Sequence, residues 1–152
     1  MANLAQVMIN LAENGQHFSA TDMSRFTPEE FRTAIQALMG EGRDALAYAL
    51  GDAGLALYPE SEDILAITSL LAVVREDWPQ AVDLLKQLID MQLDGATVFT
   101  YSMLIRSLRC NLDLADAFEV CGTALALFPG HPELLKEYDA LADALGLGAV
   151  QR

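Results

Sequence analysis

One short segment occurs twice in this chain, and that repeat restricts the fold more than any other feature. Leu55-Ala56-Leu57-Tyr58-Pro59-Glu60 returns seventy residues later as Leu125-Ala126-Leu127-Phe128-Pro129-Gly130. Midway between the two, Met91-Gln92-Leu93-Asp94-Gly95 ends another helical stretch. The period is therefore about 35 residues, in the range where one supersecondary unit is used several times and stacked copies bury a continuous core.

The punctuation within each period is that of paired helices. Thr27-Pro28-Glu29-Glu30 reads as a capping box with proline at the first helical position. Phe31, Ala34, Ile35, Leu38 and Met39 then recur at helical spacing, and Gly40-Glu41-Gly42 ends the run. A second helix is expected from about Asp44 to Tyr58, stopped by Pro59, and a third opens at Ser61-Glu62-Asp63 and reaches about Arg75. Asp77 caps a fourth, with Pro79 in its first turn and an end near Gln92, and Asp94-Gly95 forms a turn. A fifth covers about Thr97 to Arg109, and Asp113 caps a sixth that runs to Phe128. Pro132 starts a seventh that fades at Gly146. Residues 3–13 form an extra N-terminal helix that Asn14-Gly15 stops, and the stretch from Gln16 to Arg25 reads as a loop. No segment alternates as a strand would, so the chain is all-α with about eight helices.

Helix pairs repeating near 34 residues resemble the tetratricopeptide repeat (TPR) family. That family places a small residue early in its second helix, where Ala47, Ala81 and Ala117 stand here. The later small site is Gly54 and Ala124, with Leu88 a departure in the middle unit. Phe31, Leu65 and Tyr101 match the large residue early in the first helix. Pro59 and Pro129 match the terminal proline, which Leu93 replaces in the middle unit. Ser69 matches the small residue in the middle of the first helix, where Ile35 and Ile105 depart from the pattern. The resemblance implies a right-handed superhelix of antiparallel helix pairs forming one domain over 1–152. Within it, 3–13 is an N-terminal extension, 28–61, 62–97 and 98–131 are repeats, and 132–146 is a capping helix. A generic helical bundle is the alternative reading of short loops and paired helices.

Composition narrows what such a chain can bind. Hydrophobic residues make up 53% of it and the net charge is −13, with two lysines and seven arginines. A polyanion is repelled by that surface, so neither nucleic acid nor anionic lipid is an expected partner. The longest apolar stretch, Leu65 to Val74, is too short to span a bilayer, and no basic region precedes Arg25, so the expected location is the cytoplasm.

No metalloprotease, phosphate-loop or nucleophile-elbow motif is present, and Gly40-Glu41-Gly42-Arg43-Asp44-Ala45 follows a helix rather than the strand a dinucleotide loop requires. His17, His131, Cys110 and Cys121 lack zinc-site spacing, and each cysteine is expected to fill a small core slot. The expectation is a non-enzymatic protein with no cofactor and no metal.

The TPR resemblance further implies that the first helices of successive repeats line a groove for a protein or peptide partner. Carried onto this chain, the groove positions are Arg32 and Met39 in the first repeat; Ala66, Leu70, Val73 and Val74 in the second; and Phe99, Ser102, Arg106 and Arg109 in the third. Arg106 and Arg109 stand three apart, so both can reach one carboxylate, or they can pair with acids on neighbouring helices. The N-terminal helix carries Leu4, Val7, Met8 and Leu11 on one stripe and is a candidate groove cover or homodimer surface. The set of lysines and asparagines that binds chaperone tails in some TPR proteins is missing. Size and layout look like small bacterial TPR chaperones of the type III secretion kind, and a self-assembling scaffold subunit is the competing reading.

Overall fold

The computed structural model describes residues 3–16 and 23–147, with the side chain of Asp94 excepted. Among the described residues there are eight α-helices, one short 3-10 turn and no strand. The helices are α1 (Leu4–Glu13), α2 (Pro28–Gly40), α3 (Asp44–Leu57), α4 (Glu62–Val74), α5 (Trp78–Gln92), α6 (Val98–Cys110), α7 (Leu114–Leu127) and α8 (Pro132–Ala144). The 3-10 turn, Leu93–Gly95, falls at the expected turn. Most of the expected loop from Gln16 to Arg25 lies outside the described residues, as does His17; Met23 is part of the core at 2% exposure.

The caps expected from the sequence are largely present. Thr27 Oγ1 accepts from the Glu30 amide at 3.2 Å, and Glu30 Oε1 accepts from the Thr27 amide at 3.0 Å, closing the capping box. Ser61, Asp77 and Thr97 each accept the amide three residues on. Asp113 is a correction: it stands at the N-cap of α7, but its carboxylate accepts from the Asn111 side chain at 2.8 Å instead of capping the helix.

By internal packing the chain divides into two compact units, Met1–Leu71 and Ala72–Arg152. In the first, α1 packs on α2 and α2 on α3. Leu4, Met8, Phe31, Ile35, Leu38, Leu50 and Ile64 are its fully buried centre. Burying each such side chain contributes about 1.5–3 kcal/mol. Helix α1 spends its apolar stripe here: Leu4 and Met8 are buried in this core, and Val7 and Leu11 are half-buried. In the second unit α5, α6, α7 and α8 pack consecutively. Leu85, Ile105, Leu108, Cys121 and Leu134 are among its buried side chains.

The repeat is visible in the backbone. Gly42, Glu76 and Leu112 all take positive φ, at 74°, 59° and 64°, each in the connection that follows α2, α4 or α6. The residue after each donates its amide six-to-one across the helix end: Arg43 to Leu38 O, Asp77 to Ala72 O and Asp113 to Leu108 O, at 2.8, 2.9 and 2.8 Å. Ala47, Ala81 and Ala117, the small positions of the second helices, are all at 0% exposure. The twin segments also share a ring contact. Phe31 meets Tyr58 edge-on at 5.8 Å, and seventy residues on Tyr101 meets Phe128 edge-on at 6.3 Å.

Candidate functional site

Helix α6 has two jobs, and its sequence separates them by face. Tyr101, Leu104, Ile105 and Leu108 are buried and fix the helix in the second unit. Ser102, Arg106 and Arg109 recur at i, i+4 and i+7, so they share a neighbouring stripe that points away from that core. Helix α8 is held by its own buried residues, Leu134 and Leu141. With Leu134 turned inward, Glu133 and Glu137 stand four apart on one side of α8.

The two stripes meet. Ser102, Ile105, Arg106 and Arg109 of α6, with Glu133, Leu134 and Glu137 of α8, line a cavity of about 150 Å³. Arg109 Nη1 donates to Glu137 Oε1 at 2.7 Å, with the side chains 45% and 25% exposed. Partial exposure limits what this pair adds to stability to about 0.2–1 kcal/mol. Its effect is chiefly geometric, because it fixes where the Arg109 guanidinium lies. Arg106 is exposed and has no ion-pair partner among the described residues. The cavity thus holds one arginine already engaged and one still able to accept a carboxylate in bidentate fashion.

Beneath the site, Cys121 of α7 donates its thiol to Leu134 O at 3.3 Å and is fully buried. Burial pushes the thiol up from 9.0 to about 11, with the charge of Glu137 adding to the effect. At neutral pH it is therefore in the protonated form, the less reactive state of a thiol. Cys110 departs from the expected core slot. It ends α6 and is exposed, because the buried stripe of that helix stops at Leu108. Both cysteines are free thiols. His131 stands at the start of α8, and among the described residues no group of three His, Cys, Asp or Glu side chains is placed to hold a metal. No helix among them is long and apolar enough to cross a membrane.

The remaining expected groove residues fare differently. In the first unit Arg32 is engaged, its Nη1 bonded to Asp63 Oδ1 at 2.7 Å, and Met39 is half-buried against the core. Ala66 is half-buried and Leu70 is 36% exposed. In the second unit Val74 and Phe99 are exposed at 58% and 62%. Val73 is only 8% exposed, so it belongs to the interior instead of a contact surface. Sequence reasoning missed Glu133 and Glu137, because α8 was read only as a cap. Their four-residue spacing beside a buried leucine was the available signal.

No protein-family model matches the chain, and no curated protein matches it in sequence. Solved structures do. A MamA structure designated MSR-1 superposes with a TM-score of 0.73 at 16% identity, covering 95% of this chain and 79% of that one. MamA from Desulfovibrio magneticus RS-1 superposes at 0.69 with 15% identity, covering 99% of this chain and 90% of that one. At this identity the likeness shows the fold, which is all-helical and TPR-like.

Proposed function

We propose that this chain is a non-enzymatic protein-interaction module, and that its second unit takes an acidic side chain or terminal carboxylate of a protein partner at Arg106. The observation that carries the reading is the α6–α8 cavity, in which Arg109 is held by Glu137 at 2.7 Å while Arg106 is left without a partner among the described residues. In a chain of net charge −13, a guanidinium so placed is a local exception, and Glu133 and Glu137 beside it select against partners that bring no compensating donor. The exposed Phe99 at the start of the same helix supplies an apolar contact of the kind that anchors an interface. The TPR-like fold supports a protein or peptide as the partner. The repeat division 28–61, 62–97 and 98–131 with a cap over 132–146 is part of this proposal. The narrower reading as a secretion chaperone rests on size and layout.

The test is capture of partners from the native cell with the wild-type chain and with Arg106→Ala, read by mass spectrometry and followed by titration of the captured partner. Loss of a charged hydrogen bond weakens binding by about 1.5–3 kcal/mol, or roughly ten- to 150-fold. A partner retained at wild-type affinity by a folded Arg106→Ala chain would remove the site from α6.

A further inference from the structure

The second unit holds another recess, about 370 Å³ in volume, lined by a different stripe of α6. Its floor is Tyr101 and Leu104, only 6% and 3% exposed, and its walls include Ile89 of α5 and Val120 of α7. Asp90 and Lys86 of α5 and Thr123 of α7 form an exposed rim. The volume is in the range of about 300–1,000 Å³ that binding pockets occupy.

Two observations describe an occupant. The floor residues Tyr101 and Leu104 and the wall residues Ile89 and Val120 make the interior chiefly apolar, which suits a large apolar side chain. The helices on either side carry like charge. Asp90 and Lys86 stand at the recess itself, and Asp83 of α5 and Asp116 and Glu119 of α7 are exposed farther along the same two helices, which carry no cation besides Lys86. Asp83 and Asp90 are two turns apart, a span of about 10 Å at 1.5 Å per residue. A small molecule filling the recess would leave the outer acids untouched, whereas a helix with bases spaced by turns would meet them.

We propose that this recess receives a large apolar side chain of a basic amphipathic helix from a protein partner, with the lysines or arginines of that helix set against Asp90 and its neighbours. This is helix-in-groove recognition with charge complementarity along the walls. It uses a surface separate from Arg106 and partner chemistry of opposite sign.

The test uses the full-length ¹⁵N-labelled chain titrated with a synthetic 16-residue leucine–lysine amphipathic peptide and with its leucine–glutamate counterpart. The lysine peptide is expected to shift the amides of Leu104, Val120 and Thr123, and the glutamate peptide to leave them unmoved. Asp90→Lys should weaken the lysine peptide about tenfold, a factor that reversal of one contacting charge readily supplies. Thr123→Arg, which fills the recess from an exposed helical position, should weaken it at least as much. Glu60→Lys, an equal charge change at a residue that does not line the recess, should leave affinity within about twofold. Circular dichroism checks that each variant is folded. Absence of lysine-peptide binding, shifts confined to other amides, retained affinity in Thr123→Arg, or equal losses in Glu60→Lys and Asp90→Lys would each overturn the proposal.

Discussion

Replacing Gly54 by alanine adds one methyl group where α3 lies against its neighbours, and the structure gives the consequence in ångströms. A Cβ built there would stand 3.1 Å from Ile64 Cδ1 and 3.2 Å from Phe31 Cδ1. The isoleucine methyl can turn away, but the phenylalanine ring cannot move freely. Phe31 is at 0% exposure and is set edge-on against Tyr58, whose hydroxyl donates to Phe26 O. Two effects therefore compete. Alanine in a helix interior is favoured over glycine by about 1 kcal/mol. Overpacking a filled core costs about 1–3 kcal/mol. Gly40, at the exposed end of α2 in the same unit, isolates the first effect, because a Cβ there meets nothing within 4 Å. Gly40→Ala is expected to stabilise by about 0.4–1 kcal/mol. Gly54→Ala should fall below it by about 1–3 kcal/mol, the packing cost alone. Urea titrations followed by helical ellipticity at 222 nm give both values under one baseline. If Gly54→Ala stabilises as much as Gly40→Ala, the close approach at α3 does not exist and the small-residue argument for the repeat fails.

Further outcomes follow from the same geometry. Ala81→Leu, at a fully buried position of α5, should lower the urea midpoint by an amount corresponding to about 1–3 kcal/mol. Leu112→Gly should raise it by about 0.5–1 kcal/mol, because relief of about 1–2 kcal/mol at positive φ outweighs the entropy glycine adds to the unfolded chain. A maleimide at neutral pH should label Cys110 quickly and Cys121 only on unfolding, as mass spectrometry of the peptides would show. The Cys121 thiol is raised from 9.0 to about 11, so between those values the folded state holds a proton that the unfolded state has released. Its contribution to stability is thus complete below pH 9 and declines as pH rises through 11, and a Cys121→Ala chain should lack that decline.

How much of this was legible in the sequence depends on the range of the interaction. Local chemistry was readable: the Thr27 capping box, the stops at Pro59 and Pro129, and the helix ends fall where short-range rules put them. The small positions expected of the second helices were readable too, since Ala47, Ala81 and Ala117 are all fully buried. The turn conformation was legible only at Gly42. Glu76 and Leu112 adopt the same left-handed geometry without glycine, in connections closed by the six-to-one bond of the residue that follows each. Asp113 failed as a cap because Asn111 competes for its carboxylate. Pairing of Arg109 with Glu137 joins residues 28 apart in sequence and depends on which face α8 turns inward, so spacing along α6 alone could not choose between a shared ligand and a neighbouring acid.

That choice matters because α6 serves both proposed surfaces. At about 100° per residue, Ser102, Arg106 and Arg109 centre on a direction roughly 140° around the helix from Tyr101 and Leu104. One stripe opens toward α8 and the other toward the slot between α5 and α7. The buried Ile105 and Leu108 lock the helix against rotation, so neither stripe can improve its contact by turning at the expense of the other. A carboxylate at Arg106 and a base at Asp90 then act as separate ligands of one rigid element, and each should bind with the affinity it has alone. A shift in lysine-peptide affinity when an acidic partner occupies Arg106 would require α6 to move, and a coupling of even 1 kcal/mol, about fivefold, would show that this helix is a switch and not a fixed wall.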